Sequence, residues 1–270
     1  MKLGIIGNGV VGSASASVFR RYGHEVLTYD TDPGRSSHHL QDVLEAGFIF
    51  VCLPTPQKKN SYELDTSVLS QFFEERQDGA FCHKPYVVRS TVPPLYLETI
   101  SRSCKLPNVI HWPEFLTART AEADAVRPMR NVVGFVESID PMIRSLFLNL
   151  LGHLFTVRTF VGSTRVSALV KLMQNGFSAV KIAFFNEMRH LSDALETDWP
   201  LCVEAILAGG WVNPMHTQVP GPDGRFGFGG TCLPKDLAGL TAIMDDFDIQ
   251  NGVCRAAYDR NLFLDRPRDV

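Results

Sequence analysis

Short apolar runs, separated by mixed stretches of helical length, mark the first half of the chain. Lys2–Ile6, Glu25–Tyr29, Gly47–Leu53, Tyr86–Ser90, Asn108–His111 and Asn131–Val136 read as strands, with Leu154–Phe160 as one more. The intervals between the first few suit crossover helices, of which Ser13–Tyr22 is one, so a parallel sheet is the natural assembly. From Ser163 the period changes. Val166, Leu169, Val170, Met173, Phe177, Val180, Phe184, Met188 and Leu191 recur at three- and four-residue steps, which predicts one long amphipathic helix over Ser163–Leu195. Further helices are expected near Leu201–Leu207, Lys235–Asp245 and Asn251–Leu262, and the glycine- and proline-rich stretch Gly209–Gly230 reads as loop. The pattern therefore divides the chain into an α/β domain, residues 1–162, and a smaller all-helical domain, residues 163–270.

Composition mainly excludes. Of 270 residues 45% are apolar and 20% charged, with a net charge of −3, values that fit a globular chain and not a disordered one. No uncharged apolar run approaches the roughly 18–20 residues a bilayer requires. Mild acidity gives no electrostatic reason to expect a nucleic acid or an anionic membrane as partner. The apolar start, Met1 to Ile6, turns into a glycine loop and not into a cleavage site. Six scattered cysteines with no C-x-x-C spacing suggest neither a zinc knuckle nor a disulfide framework, so a reducing cytoplasm is the expected setting. No cluster of metal ligands is visible, and His111, His153 and His216 read as loop or packing residues.

Gly7-Asn8-Gly9-Val10-Val11-Gly12 follows the first strand directly and opens a helix. In such a G-x-G-x-x-G turn the first glycine allows the tight bend, the second admits a diphosphate, and the third lets helix and strand pack closely. The diphosphate would rest on the free N–H groups of the helix N-terminus. Asp30 ends the second strand, where a carboxylate binds a ribose 2′-hydroxyl and repels a 2′-phosphate. A Rossmann-type domain that takes NAD is the expectation, with Arg35 the nearby cation that could instead accommodate the phosphate of NADP.

The densest chemistry lies in Gly227-Phe228-Gly229-Gly230-Thr231-Cys232-Leu233-Pro234-Lys235-Asp236. Glycines there allow a substrate close to the backbone. Both the helix N-terminus and a neighbouring lysine would activate the single cysteine, Cys232, as a nucleophile. On the long helix Lys171 and Asn175 lie four residues apart and share a face. Asparagine is a poor helix former, so its place there calls for a reason. A catalytic pair and a polar patch at a domain junction both remain open on pattern alone.

These segments together resemble the UDP-glucose/GDP-mannose dehydrogenase family. The resemblance rests on Gly7–Gly12 with Asp30, Val51-Cys52-Leu53-Pro54-Thr55-Pro56, Ser90-Thr91-Val92-Pro93-Pro94 and Pro113-Glu114-Phe115-Leu116. It continues through Lys171–Asn175 on to Phe185-Asn186-Glu187, the Gly227–Asp236 block, and the tail from Asn261 to Asp269. What the resemblance implies is an NAD-dependent, four-electron oxidation of a nucleotide-sugar primary alcohol to the carboxylate. Cys232 would trap the aldehyde, and Lys171, Asn175 and Asp236 would surround the reacting oxygen or an ordered water. Thr91 and Glu114 would complete that polar shell. Gly7, Gly9, Val10, Val11, Gly12, Asp30, Arg35, Thr55 and Lys235 would serve NAD. Phe115, Leu116, Gly229 and the Gly221–Arg225 loop, with Lys171 and Asn175, would hold the substrate. It also implies a homodimer formed around the long helix.

Two departures from the family pattern stand out. Ala118 occupies a place where members usually carry glutamate, and no counterpart of the family's third, nucleotide-binding domain follows the tail. The competing readings are a two-electron β-hydroxyacid-type dehydrogenase, which needs no cysteine, and a degenerate member that only binds nucleotide or a partner.

Overall fold

A computed structural model describes residues 1–117 and 119–267. Two compact units emerge, Met1–Thr55 with Asp65–Lys171, and Pro56–Leu64 with Leu172–Val270.

The first unit is built on seven strands: β1 (Lys2–Ile6), β2 (Glu25–Tyr29), β3 (Phe48–Val51), β4 (Tyr86–Val88), β5 (Val109–His111), β6 (Asn131–Phe135) and β7 (Thr159–Ser163). They form one sheet in the order β2-β1-β3-β4-β5-β6-β7. Because side chains alternate across a strand, each buried strand feeds two cores. Leu3, Ile5, Phe48, Phe50, Val87, Ile110 and Val133 fill one face, against α1 (Val10–Arg21) and α6 (Pro141–Leu154). Ile49, Val51, Tyr86, Val88 and Val109 fill the other, with side chains of α2 (Leu40–Leu44), α3 (Ser67–Glu74) and α4 (Tyr96–Ser103).

The sheet is parallel, as expected, with one exception. β5 and β6 pair antiparallel, Ile110 opposite Phe135 and His111 opposite Gly134, while the other neighbours are parallel. Their connection carries only the short α5 (Ala121–Val126), which packs on α1, so the chain never crosses back to the far end of the sheet before β6 begins. The seventh strand also starts later than its apolar run suggests. Leu154 and Leu151 belong to the buried stripe of α6, together with Phe147 and Leu150, and the strand proper begins at Thr159.

Helix α7 (Thr164–Ala194) is 31 residues long and carries Lys171 and Asn175 one turn apart. In the second unit it is followed by α8 (Trp199–Ala208), α9 (Leu233–Asp246) and α10 (Gly252–Arg260), and the last of these runs into a π-helical turn, Asn261–Asp265. Ala179, Ala183, Phe228, Leu237, Ala238, Ala257 and Tyr258 make its core, with Leu64, Leu172 and Leu240 beside them. Gly239 gives the Leu64 side chain its room: a Cβ there would stand 2.8 Å from Leu64 Cγ. No helix among the described residues is long and apolar enough to cross a membrane.

Candidate active site

The glycine loop has the geometry that its sequence requires. Gly7 takes a φ of +84°, open to glycine at little cost, and its N–H donates to Tyr29 O at 2.9 Å. A Cβ on Gly12 would lie 2.1 Å from Gly7 O, whereas one on Gly9 would meet nothing within 4 Å. The N-terminus of α1 has no side-chain cap and no acidic residue in its first turn, which leaves its N–H groups and positive dipole end for an anion. Asp30 is aimed by the loop itself. Its Oδ2 accepts from Asn8 N at 2.7 Å and its Oδ1 from Asp32 N at 3.0 Å. Open space above Gly9, an uncapped helix end and a fixed carboxylate together fit the diphosphate and adenosine ribose of a dinucleotide. Arg35 contributes its carbonyl, which accepts from Asn8 Nδ2 at 2.7 Å, while its guanidinium faces Asp32 at 3.3 Å. Asn8 was not singled out from sequence, yet it ties the loop to both Asp30 and Arg35.

Beyond the C-terminal ends of β3, β4 and β5, two motifs that are distant in sequence are stitched together. Thr55 Oγ1 donates to Thr91 O at 2.8 Å, Ser90 Oγ to Leu53 O at 2.6 Å, and Arg89 N to Val51 O at 2.8 Å. His111 completes the seam. Its Nε2 lies 3.2 Å from Ser90 O and its Nδ1 2.8 Å from Ser167 Oγ. Because a carbonyl only accepts, Nε2 carries the proton and Nδ1 accepts from the serine hydroxyl. Burial, reinforced by the nearby Arg89 and Lys171 cations, lowers the His111 pKa to about 3 against a weaker opposing pull from the Ser90 carbonyl, so the ring is neutral. Arg89 is itself buried and stacks 3.7 Å over Trp112.

Glu114 and Lys171 form a buried ion pair at 2.8 Å. Burial works against the carboxylate, but Lys171, the Leu116 N–H at 2.6 Å and Arg89 together hold its pKa below the usual range. The Lys171 ammonium also sits 5.6 Å from the centre of the Phe115 ring.

In the second unit Asn175 Nδ2 donates to Asp236 Oδ2 at 2.6 Å, and Lys235 Nζ reaches Asp236 Oδ1 at 2.5 Å. Asp236 is wholly buried in the first turn of α9, where a carboxylate also favours the helix dipole. Cys232 is the N-cap of the same helix and is exposed, as is Cys202; the other four cysteines are at least partly buried, and all six are free. Upstream, Gly224 N donates to Gly221 O and Gly221 N to Arg225 O, both at 2.8 Å, closing a tight turn. Burial raises the Asp223 carboxyl pKa, but the Arg266 guanidinium, at 2.7 Å, outweighs it and keeps the pKa low. The glycines next to the cysteine differ from their expected use. A Cβ on Gly227 would strike Asn261 Oδ1 at 2.4 Å and one on Gly229 would strike Arg266 Nη1 at 2.5 Å. Their open faces hold the chain's own tail, and only Gly230 has nothing within 4 Å. Ala118 and the last tail residues, Arg268 to Val270, lie outside the described residues.

Residues 35–149 match the UDP-glucose/GDP-mannose dehydrogenase family, NAD binding domain, and residues 165–262 match the central domain of the same family. The chain belongs to the UDP-glucose/GDP-mannose dehydrogenase family. That family consists of NAD-dependent sugar-nucleotide dehydrogenases, and NAD is the cofactor its first domain binds. The UDP-glucose 6-dehydrogenase of Rhizobium meliloti is 27% identical over 292 residues, covering 92% of this chain and 64% of that protein. A UDP-glucose dehydrogenase structure from Pyrobaculum islandicum shares the fold, with a TM-score of 0.86 at 24% identity, covering 97% of this chain and 68% of the other. The 3-hydroxyisobutyrate dehydrogenase of Mycobacterium tuberculosis has a related fold, with a TM-score of 0.74 at 16% identity, and there the cover is 96% and 91%. Against its family relatives the chain spans about two thirds of their length.

Proposed function

We propose that the protein oxidises the primary alcohol of a nucleotide sugar to the carboxylate in two successive two-electron steps, with a thiohemiacetal on Cys232 between them and a Cys232 thioester as the product of the second. The observation that carries this reading is the first turn of α9. An exposed thiol at the N-cap stands four residues before a fully buried carboxylate, which is held by Asn175 and Lys235. A purely structural cysteine would not need that arrangement.

NAD, when bound to the Gly7–Gly12 loop, supplies the hydride acceptor for both oxidations. The chain's own groups then have defined tasks. Asp236, fixed by Asn175 and Lys235, takes the alcohol proton directly or through water as the aldehyde forms. The Cys232 thiolate adds to the aldehyde carbon and the new alkoxide takes up a proton, giving a thiohemiacetal. Loss of its C–H hydride and O–H proton leaves a thioester, and water displaces the thiol, yielding the carboxylate and a proton. Lys171, kept in place by Glu114, and Asn175 donate to the oxygen that carries negative charge in each half. Thr91 completes the polar shell. Thr55, Arg35 and Lys235 serve the cofactor, while Phe115, Leu116 and the Gly221–Arg225 turn serve the sugar nucleotide. Free cysteines throughout suit a reducing cytoplasm.

The decisive measurement counts NADH formed per nucleotide sugar consumed. Wild type should give two. Cys232→Ser, nearly isosteric but a far weaker nucleophile, should stop after the first oxidation and make no acid. Full acid production by Cys232→Ser would overturn the proposal. The fold shared with 3-hydroxyisobutyrate dehydrogenase, over 91% of that chain's length, favours one alternative, a single two-electron oxidation of a hydroxy acid. One NADH from a hydroxy acid, with Cys232→Ser fully active, would establish that reading instead.

The same proposal extends to assembly. Val166, Leu169, Met173, Phe177, Phe184, Leu191 and Leu195 lie along one exposed face of α7 and its end, and α8 buries none of its residues. We assign this face to a second copy of the chain.

A further inference from the structure

The loop that leads to Cys232 is held from below by side chains to which no role has been given. Asn186 Oδ1 accepts from Gly227 N at 2.9 Å. Asn261, at the start of the π-helical turn, accepts from Phe228 N at 2.8 Å and donates to Phe228 O at 3.0 Å, as a neighbouring strand would. Arg266, only 4% exposed, does the most. Its Nε donates to Phe226 O at 2.8 Å, its Nη2 lies 3.4 Å from Gly227 O, and the same nitrogen pairs with Asp223 at 2.7 Å. Its guanidinium fills the space beside Gly229. The turn that presents Arg266 is itself tied down: Arg266 N donates to Asn261 O at 2.7 Å, and Arg260 Nε reaches Asp265 Oδ2 at 3.1 Å.

We propose that Arg266 is a positioning residue that sets two things at once, the Gly221–Arg225 turn through Asp223 and the Cys232 loop through the carbonyls of Phe226 and Gly227. The inference rests on the proposed cysteine chemistry for its kinetic consequence. Three glycines within four residues, Gly227, Gly229 and Gly230, make flexible backbone, and a nucleophile just beyond them needs an external support to hold one geometry. Only a planar fork of several donors can reach two carbonyls and a carboxylate together; an ammonium keeps the charge but makes a single point contact. Glycine at 227 and 229 follows from the same arrangement, because a side chain there would displace Asn261 or Arg266. A π-turn in place of a regular helix end brings Asn261 to the loop, a common use of such turns.

The experiment uses the full chain in a Cys202→Ser background, so that Cys232 is the one exposed thiol of the described residues. Arg266→Lys and Asp223→Asn are compared for the rate of Cys232 alkylation by iodoacetamide, for KM and kcat, and for NADH formed per nucleotide sugar. Arg266→Lys should lower kcat about tenfold or more, shift the alkylation rate at least about threefold, and bring the yield from two NADH toward one. NAD affinity, a property of the first unit, should stay at the wild-type value. Asp223 is half exposed, so Asp223→Asn tests the other arm without disturbing the core; most of its effect should fall on KM. Wild-type alkylation, kcat and stoichiometry in Arg266→Lys would overturn the proposal, as would a fall in NAD affinity parallel to the fall in kcat. Should Arg266→Lys not fold, an Asp223→Asn protein with unchanged KM and alkylation rate would overturn it as well. If wild type oxidises no nucleotide sugar, the proposed reaction has failed, and the alkylation rates of the variants still decide the clamp.

Discussion

Four polar residues of the candidate site are each held by a second group. Lys171 is held by Glu114, Asp236 by Asn175 and Lys235, Asp30 by Asn8, and Thr55 by the Thr91 carbonyl. Buried ions and amides are tolerated only with such partners, and the partners fix their orientation. His111 shows the energetic side of the same rule. Its folded pKa of about 3 lies below the ordinary imidazole value of 6.5, so between those values the unfolded chain binds a proton that the folded chain excludes. Stability from this residue is therefore complete above about pH 6.5 and is lost as pH falls toward 3. At pH 5 the loss is about 2 kcal/mol. Glu114, with a depressed pKa, adds a loss of the same sign, but only below the normal carboxylate range. A His111→Gln protein has no such proton to exclude. Its melting temperature should fall less than that of wild type between pH 7 and pH 5, and identical falls would refute the account. His111 reads from sequence as a packing residue, because nothing in a strand's alternation reveals that its ring meets Ser90 and Ser167, which are 21 and 56 positions away.

At the scale of elements, β1 and β2 begin and end where the apolar runs do, and α7 spans Thr164–Ala194 against an expected Ser163–Leu195. Local periodicity determines these, because burial on a face selects residues every second or every third to fourth position. Pairing direction is different. Nothing in the run Asn131–Phe135 says whether it lies parallel or antiparallel to β5; the length and route of the intervening segment decide that. The cofactor loop was legible because its glycines do distinct work, and this separates two variants. Gly9→Ala places a methyl in open space, so folding and melting temperature should remain as in wild type. The methyl would occupy the room a diphosphate needs, and NAD affinity should fall by about 1–3 kcal/mol, roughly tenfold to a hundredfold. Gly12→Ala drives a Cβ to 2.1 Å from Gly7 O and must displace backbone, so it should cost stability on the order of 1–3 kcal/mol as well as binding. Calorimetric titration with NAD and thermal melts on both variants check the pair. A Gly9→Ala protein that binds NAD like wild type would remove the diphosphate from that place.

At the scale of the whole molecule, α7 presents an apolar, exposed side. Val166, Leu169, Met173, Phe177, Val180, Phe184, Met188, Leu191 and Leu195 follow one another at steps of 3, 4, 4, 3, 4, 4, 3 and 4 residues. That is an 11-residue repeat of about 3.67 residues per turn, close to the pitch of a straight helix, so the stripe stays on one face along its whole length instead of winding around it. The opposite face is occupied: Ala168, Leu172, Ala179 and Ala183 are buried. A helix apolar on two sides needs cover on both, and here the second side stands in water, with Phe177 70% exposed, Leu195 63% and, from α8, Leu201 59%. Because α7 is one continuous helix with one continuous stripe, we assign the stripe to the same stripe of a second copy, which would match its length and repeat and close the pairing without leaving a new free face. Wild type should therefore sediment at about twice 30.0 kDa at micromolar concentration. Phe177→Lys puts a charge at the middle of the stripe on a residue that makes no use of the core, so the variant should remain folded, bind NAD as wild type does, and sediment as a monomer. A monomeric wild type would defeat the assignment of this face, and so would a Phe177→Lys protein that stays dimeric.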